Sequence, residues 1–168
     1  HQELTRNVLS AGEPSGFSEI VLNRADLFGR FDKDPEGTLR ILHDEVAAGR
    51  RGEDQLFALA ELSFLHAERS KKRAYYLAAA LYAYAFLFPP KVEVPPGPFD
   101  PRSRIASDLY NRGLTAGLAS PDGAEVEVRG GVWPLPFGEL EVSFDPARLA
   151  WADRTLTHFV PVADLEVR

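Results

Sequence analysis

Any chemistry on this chain must come from its serines, its four histidines and its carboxylates, because it contains no cysteine. A nucleophile elbow needs Gly-x-Ser-x-Gly, since both flanking positions must be small where a strand turns sharply into a helix. Ser15 has Pro14 before it and Gly16 directly after it, out of register, and Ser120 is followed by Pro121. Neither fits. Of His1, His43, His66 and His158, His43 precedes Asp44, but adjacent residues on a helix point in different directions. His66 stands in a strongly apolar stretch, where a hydrogen-bonded core or rim role is simplest. His158 lies near Asp153 and Asp164, and a triad there would need a serine from elsewhere. The His-Glu-x-x-His spacing of a zinc site is missing, as are a Gly-rich phosphate loop, a dinucleotide fingerprint and a haem motif. The sequence therefore gives no complete catalytic site, no metal site and no cofactor.

One charge pattern stands out. Glu125 and Glu127 alternate with Val126 and Val128, and Glu139 and Glu141 alternate with Leu140 and Val142. If those two strands pair, four carboxylates share one sheet face, which like-charge repulsion disfavours. Such a face suits a cation or a basic partner. The plainer expectation is a solvated face relieved by Arg129.

The elements that would position these groups are helical first. Phe17 to Phe31 has loosely helical apolar spacing. Asp34-Pro35 supplies an N-cap acceptor and a first-turn proline, and Gly49 suits the C-terminal cap. Gly52-Glu53-Asp54 begins a helix to about Arg69, and another runs from about Lys71 to Phe88. Both are apolar around much of their circumference, so they form the core. Pro89-Pro90 and the proline-rich linker that follows end this pair, and Asp100-Pro101 starts a further helix that stops at 120–123. The period then changes to two: Gly130-Gly131 reads as a hairpin turn, with Val132 to Leu135 returning and Leu140 to Phe144 as a further strand.

The expected fold is α+β and mainly helical, with antiparallel helix hairpins followed by a small antiparallel β-sheet. The helical domain covers 1–123, and a small β segment at 124–168 packs on the helices or on a partner. The 168 residues suffice for a core. A net charge of −6 without a basic stripe argues against nucleic-acid binding. The best apolar run, Tyr75 to Phe88, falls short of the roughly 20 residues a membrane span needs. The chain starts at His1 rather than Met, and processing after a signal sequence gives the expectation of an extracytoplasmic, periplasmic or secreted protein.

The core pair also resembles a tetratricopeptide hairpin. Leu62 and Leu65 lie in the first helix, Ala78, Tyr82 and Ala85 in the second, and Pro90 at the close, although His66 and Arg69 stand where that pattern has a small residue and an aromatic. A second resemblance is carried by Arg24-Ala25-Asp26-Leu27, Asp34-Pro35-Glu36, the run from Leu56 to Phe64, Phe99-Asp100-Pro101-Arg102 and Asp108-Leu109-Tyr110-Asn111. Across most of 4–118 the chain resembles the N-terminal region of a group of bacterial proteins in which a helical segment precedes an α/β-hydrolase (esterase- or lipase-like) domain. The resemblance implies a non-catalytic accessory part that contacts or covers a hydrolase domain, whose serine, acid and histidine would all lie downstream. Under it, Trp133, Phe137, Trp151 and Phe159 would be contacts to that partner; as an alternative they are the aromatic core of the small sheet. The alternative function is a free-standing tetratricopeptide-like scaffold that binds another protein.

Overall fold

The computed structural model describes residues 12–50, 52–90, 95–97, 99–121, 123, 125–127, 129–151, 154–155 and 158–159. Among them the chain is mainly helical: α1 (Gly16–Arg24), α2 (Phe28–Phe31), α3 (Pro35–Ala47), α4 (Glu53–Ser70), α5 (Arg73–Leu87) and α6 (Pro101–Gly117). Short antiparallel strands follow, namely β1 (Val126–Glu127), β2 (Gly131–Leu135), β3 (Gly138–Val142), β4 (Ala150–Trp151), β5 (Arg154–Thr155) and β6 (His158–Phe159). No helix of the described residues is long and apolar enough to cross a membrane.

Local signals set the helix ends. Asp34 accepts from the Gly37 amide at 3.0 Å, and Asp100 accepts from the Arg102 amide at 2.9 Å, each just ahead of a first-turn proline. Gly49 takes a left-handed φ of +75° beyond α3. The helical stretch expected over 17–31 is broken into α1 and α2, with Asp26 left-handed at φ 56° between them. Ser15 occupies the N-cap position of α1 but does not cap it, because its hydroxyl donates to Glu61 instead.

Helix α4 is the centre of the fold. Every residue from Leu56 to Ala67 is buried, and α1, α3, α5 and α6 all pack against it. Each fully buried leucine of this set contributes about 2 kcal/mol of apolar transfer. Two residues, Lys71 and Lys72, turn the chain from α4 into α5. Helix α6 approaches α5 closely at Gly113 and Gly117, where a Cβ would lie 2.7 Å from the Tyr76 carbonyl oxygen and 2.5 Å from Leu77 Cδ2.

Strand pairing departs from the expected register. Strands β2 and β3 pair directly, Trp133 opposite Leu140 and Leu135 opposite Gly138, so Pro136-Phe137 is the two-residue turn and Gly131 begins a strand. β1 pairs with β6, not with β2 or β3. The acidic row is therefore split: Glu139 and Glu141 lie on the outer face of the hairpin with Val132 and Pro134, apart from β1. The inner face carries Trp133, Leu135, Leu140 and Val142 toward the helices, and β2 packs on α5.

Candidate functional site

The tip of the β2–β3 hairpin reaches α3 and α5 and forms with them a partly open pocket of about 190 Å³. Phe137 stacks on the His43 ring with centroids 4.8 Å apart and 23° between planes, and the Arg40 guanidinium lies 5.2 Å from the Phe137 centroid. Behind the stack, His43 Nδ1 and the Tyr82 hydroxyl share a hydrogen bond of 2.8 Å. Burial raises the Tyr82 phenol well above its ordinary value, with Tyr75 and Asp44 adding to it, so Tyr82 stays neutral. A larger but shallow depression beside Ser143, Phe144, Asp145 and Arg148 is open surface.

A second feature is aromatic and exposed. Tyr84 and Phe88 stand one turn apart on α5 with centroids 5.0 Å apart, and Tyr110 of α6 lies 6.0 Å from Tyr84. Tyr84 is 49% exposed and Phe88 61%, while Phe99, just ahead of α6, is 96% exposed. Large aromatics grouped on a surface mark sites of association.

The remaining polar groups lock helices together. Glu36 of α3 accepts from His66 Nε2 of α4 at 3.1 Å and from Lys72 Nζ. The Lys72 ammonium, then His66, hold its carboxyl below the usual range against partial burial. Tyr75 stands edge-on to His66 at 4.5 Å, and burial together with Glu36 pushes its phenol up to about 12. Arg102 of α6 donates to Asp100 at 2.7 Å, to Glu53 at 2.7 Å and to Asp54 at 2.6 Å, with its guanidinium carbon 5.8 and 5.2 Å from the Phe17 and Phe86 centroids. Ser15 donates to Glu61, and no imidazole lies with that pair among the described residues.

Of the residues singled out as partner contacts, Trp133 and Phe137 both face the chain's own helices. Arg73 of α5 and Arg129 lie 6.0 and 5.5 Å from the Trp133 ring centroid. Trp151 lies in β4 opposite Arg154, and Phe159 in β6 opposite Val126. The side chains of these two residues, and that of His158, fall outside the described residues, as do His1, Asp153 and Asp164 entirely. The sequence reading missed the His43–Tyr82 pair and the Tyr84–Phe88–Tyr110 surface. The residues of the pair are 39 positions apart. Tyr84 and Phe88 sat within a run whose composition announced a core helix; their spacing of four was the available signal. Compared with protein-family models, with curated proteins and with solved structures, the chain matches none.

Proposed function

We propose that the chain is a helical accessory module that contacts or covers an α/β-hydrolase-like domain, outside the cytoplasm, without supplying catalytic groups. The exposed aromatic pair of Tyr84 and Phe88, backed by the partly buried Tyr110, carries this reading, since it stands on two closely packed helices and presents apolar rings to a partner. The nature of that partner rests on the resemblance across 4–118. Two arrangements support a non-catalytic role: His43 is engaged by Tyr82, and His66 by Glu36, rather than by a serine.

The test is binding of the full chain to a purified hydrolase domain of the group it resembles, measured by calorimetry. Tyr84→Ala with Phe88→Ala should weaken binding at least tenfold, as loss of two aromatic anchors does at about 1 to 2 kcal/mol each. Circular dichroism should show the helices unchanged, because both rings are exposed. Absence of binding by the unsubstituted chain, or equal affinity for the double variant, overturns the proposal, and robust ester turnover by the chain alone overturns its non-catalytic part.

A further inference from the structure

The cavity under the hairpin tip has the size and chemistry of a ligand site that the accessory role does not require. Its volume of about 190 Å³ is small. An apolar cavity of about 150 Å³ takes a benzene ring, whereas sites for larger organic ligands start near 300 Å³. One ring with one small substituent is the occupant that fits. The wall is apolar along Ala78, Leu81 and the hairpin tip at 135–137, and its two hydrogen-bonding side chains are His43 and Tyr82.

Proton counting defines the substituent. An uncharged imidazole paired with a phenol would hold two polar hydrogens, one of them used in the bond they share. If Tyr82 donates to Nδ1, the His43 Nε2–H remains; if Nδ1–H donates, the Tyr82 O–H remains. In either tautomer the pair keeps one donor and one acceptor. It matches a hydroxyl or carbonyl. Phe137 presents its ring as part of the wall, held between His43 and Arg40. A site joining two structural layers, mostly apolar with few convergent polar groups, is the usual form of a small-molecule pocket.

The geometry points to a binding site for a neutral single-ring aromatic bearing one hydroxyl or carbonyl, seated between α3, α5 and the β2–β3 turn and hydrogen-bonded to the His43–Tyr82 pair. The probes are 4-fluorophenol and fluorobenzene, followed by fluorine NMR on the full chain. Saturable broadening is expected for both, with 4-fluorophenol about fivefold tighter, the difference of one net hydrogen bond. His43→Phe combined with Tyr82→Phe should bring the two affinities together, because either residue alone still offers a donor and an acceptor. Leu135→Trp, which fills the cavity from the hairpin side, should abolish both. Absence of saturable binding overturns the site, and so does 4-fluorophenol affinity undiminished by either variant. Should Leu135→Trp disturb the hairpin, the comparison with the His43→Phe, Tyr82→Phe double variant decides alone: an unchanged fivefold preference overturns the assigned hydrogen bond.

Discussion

The amide and the hydroxyl of Ser15 both donate to a single oxygen, Oε2 of Glu61, at 3.0 and 2.8 Å. Glu61 is fully buried in the middle of α4, and its Oε1 and the buried Ser18 Oγ have no partner by strict geometry. Ser18 nevertheless faces the same carboxyl closely enough to influence it. A proton on Oε1 would let the acid donate toward Ser18 while accepting from Ser15. Burial thus favours the protonated acid of Glu61 at this join between the start of α1 and the core.

The pH dependence of stability follows from that assignment. Burial, aided by the nearby Glu19 charge, raises the Glu61 carboxyl above its ordinary 4.5 despite the serine hydrogen bonds. The folded chain then keeps a proton that the unfolded chain has released. Stability from this site is full below the ordinary value and declines as the pH climbs toward the raised one, by up to about 1.4 kcal/mol per pH unit. Glu61→Gln keeps a carbonyl for Ser15 and an amide donor for Ser18 and cannot ionise. Urea denaturation between pH 5 and 8 should show a falling slope for the native chain that the glutamine variant lacks. Equal slopes would mean Glu61 is already charged.

Packing at the α5–α6 contact makes a sharper prediction about two glycines that look equivalent. A methyl at Gly113 would meet backbone, the Tyr76 carbonyl oxygen at 2.7 Å, whereas one at Gly117 would meet the Leu77 side chain at Cδ2 and Cγ first, with the Leu77 amide nitrogen farther off at 3.3 Å. Backbone cannot rotate aside. Gly113→Ala should cost about 2 kcal/mol through overpacking, even after the gain in helix propensity, and Gly117→Ala clearly less. Thermal unfolding of the two variants side by side measures the difference. Equal losses would show that the helices separate as units.

These examples mark where the sequence is legible. Asp34-Pro35, Asp100-Pro101 and Gly49 act within a few residues of themselves, so the helix ends could be read directly. The alternation of Leu140 and Val142 with Glu139 and Glu141 likewise fixes which face of β3 turns inward. Partner choice is another matter. Gly130-Gly131 has stronger turn chemistry than Pro136-Phe137, yet the turn forms at the latter, where Phe137 gains His43 and Arg40 as neighbours. Tertiary contacts override local propensity there. The Ser15–Glu61 pair spans 46 positions and leaves no periodic trace in the chain.

Arg102 tests how far a partly buried charge cluster holds helices together. Arg102 is 8% exposed, and its guanidinium serves Asp100 beside it, Glu53 and Asp54 on α4, and two phenylalanine rings. Arg102→Ala should cost about 2 kcal/mol, because it strands the mostly buried Asp100 and leaves a gap between rings, while Glu53 and Asp54 stay half exposed and Asp54 keeps Arg24. Arg102→Lys should recover less than half, since an ammonium cannot fork between them. The Arg102 guanidinium also holds the Asp100 carboxyl below its usual 3.8 against burial. Stability from Asp100 is therefore present above 3.8 and is lost as the pH falls through the lowered value. Acid unfolding followed by circular dichroism should begin at higher pH in Arg102→Ala than in the native chain.

Phe137 is the deepest of several hairpin contacts with the helices, beside Trp133 against Arg73 and Leu135 in the pocket wall. It tests whether the hairpin's stability is separate from that of the helical core. Phe137 contributes its stack on His43, its contact with Arg40 and part of the cavity wall, while α4 and α5 are buried by one another and by α1, α3 and α6. A two-stranded ribbon without such a dock is marginal in water. Phe137→Ala should therefore release β2 and β3 with little change in the helices. Native-state hydrogen exchange is the suitable measurement: amides of 132–142 should lose about tenfold or more of their protection, while those of 56–67 lose about tenfold less than the hairpin does. Uniform loss across both regions would mean that hairpin and helices unfold as one cooperative unit, with Phe137 inside the core rather than at its edge.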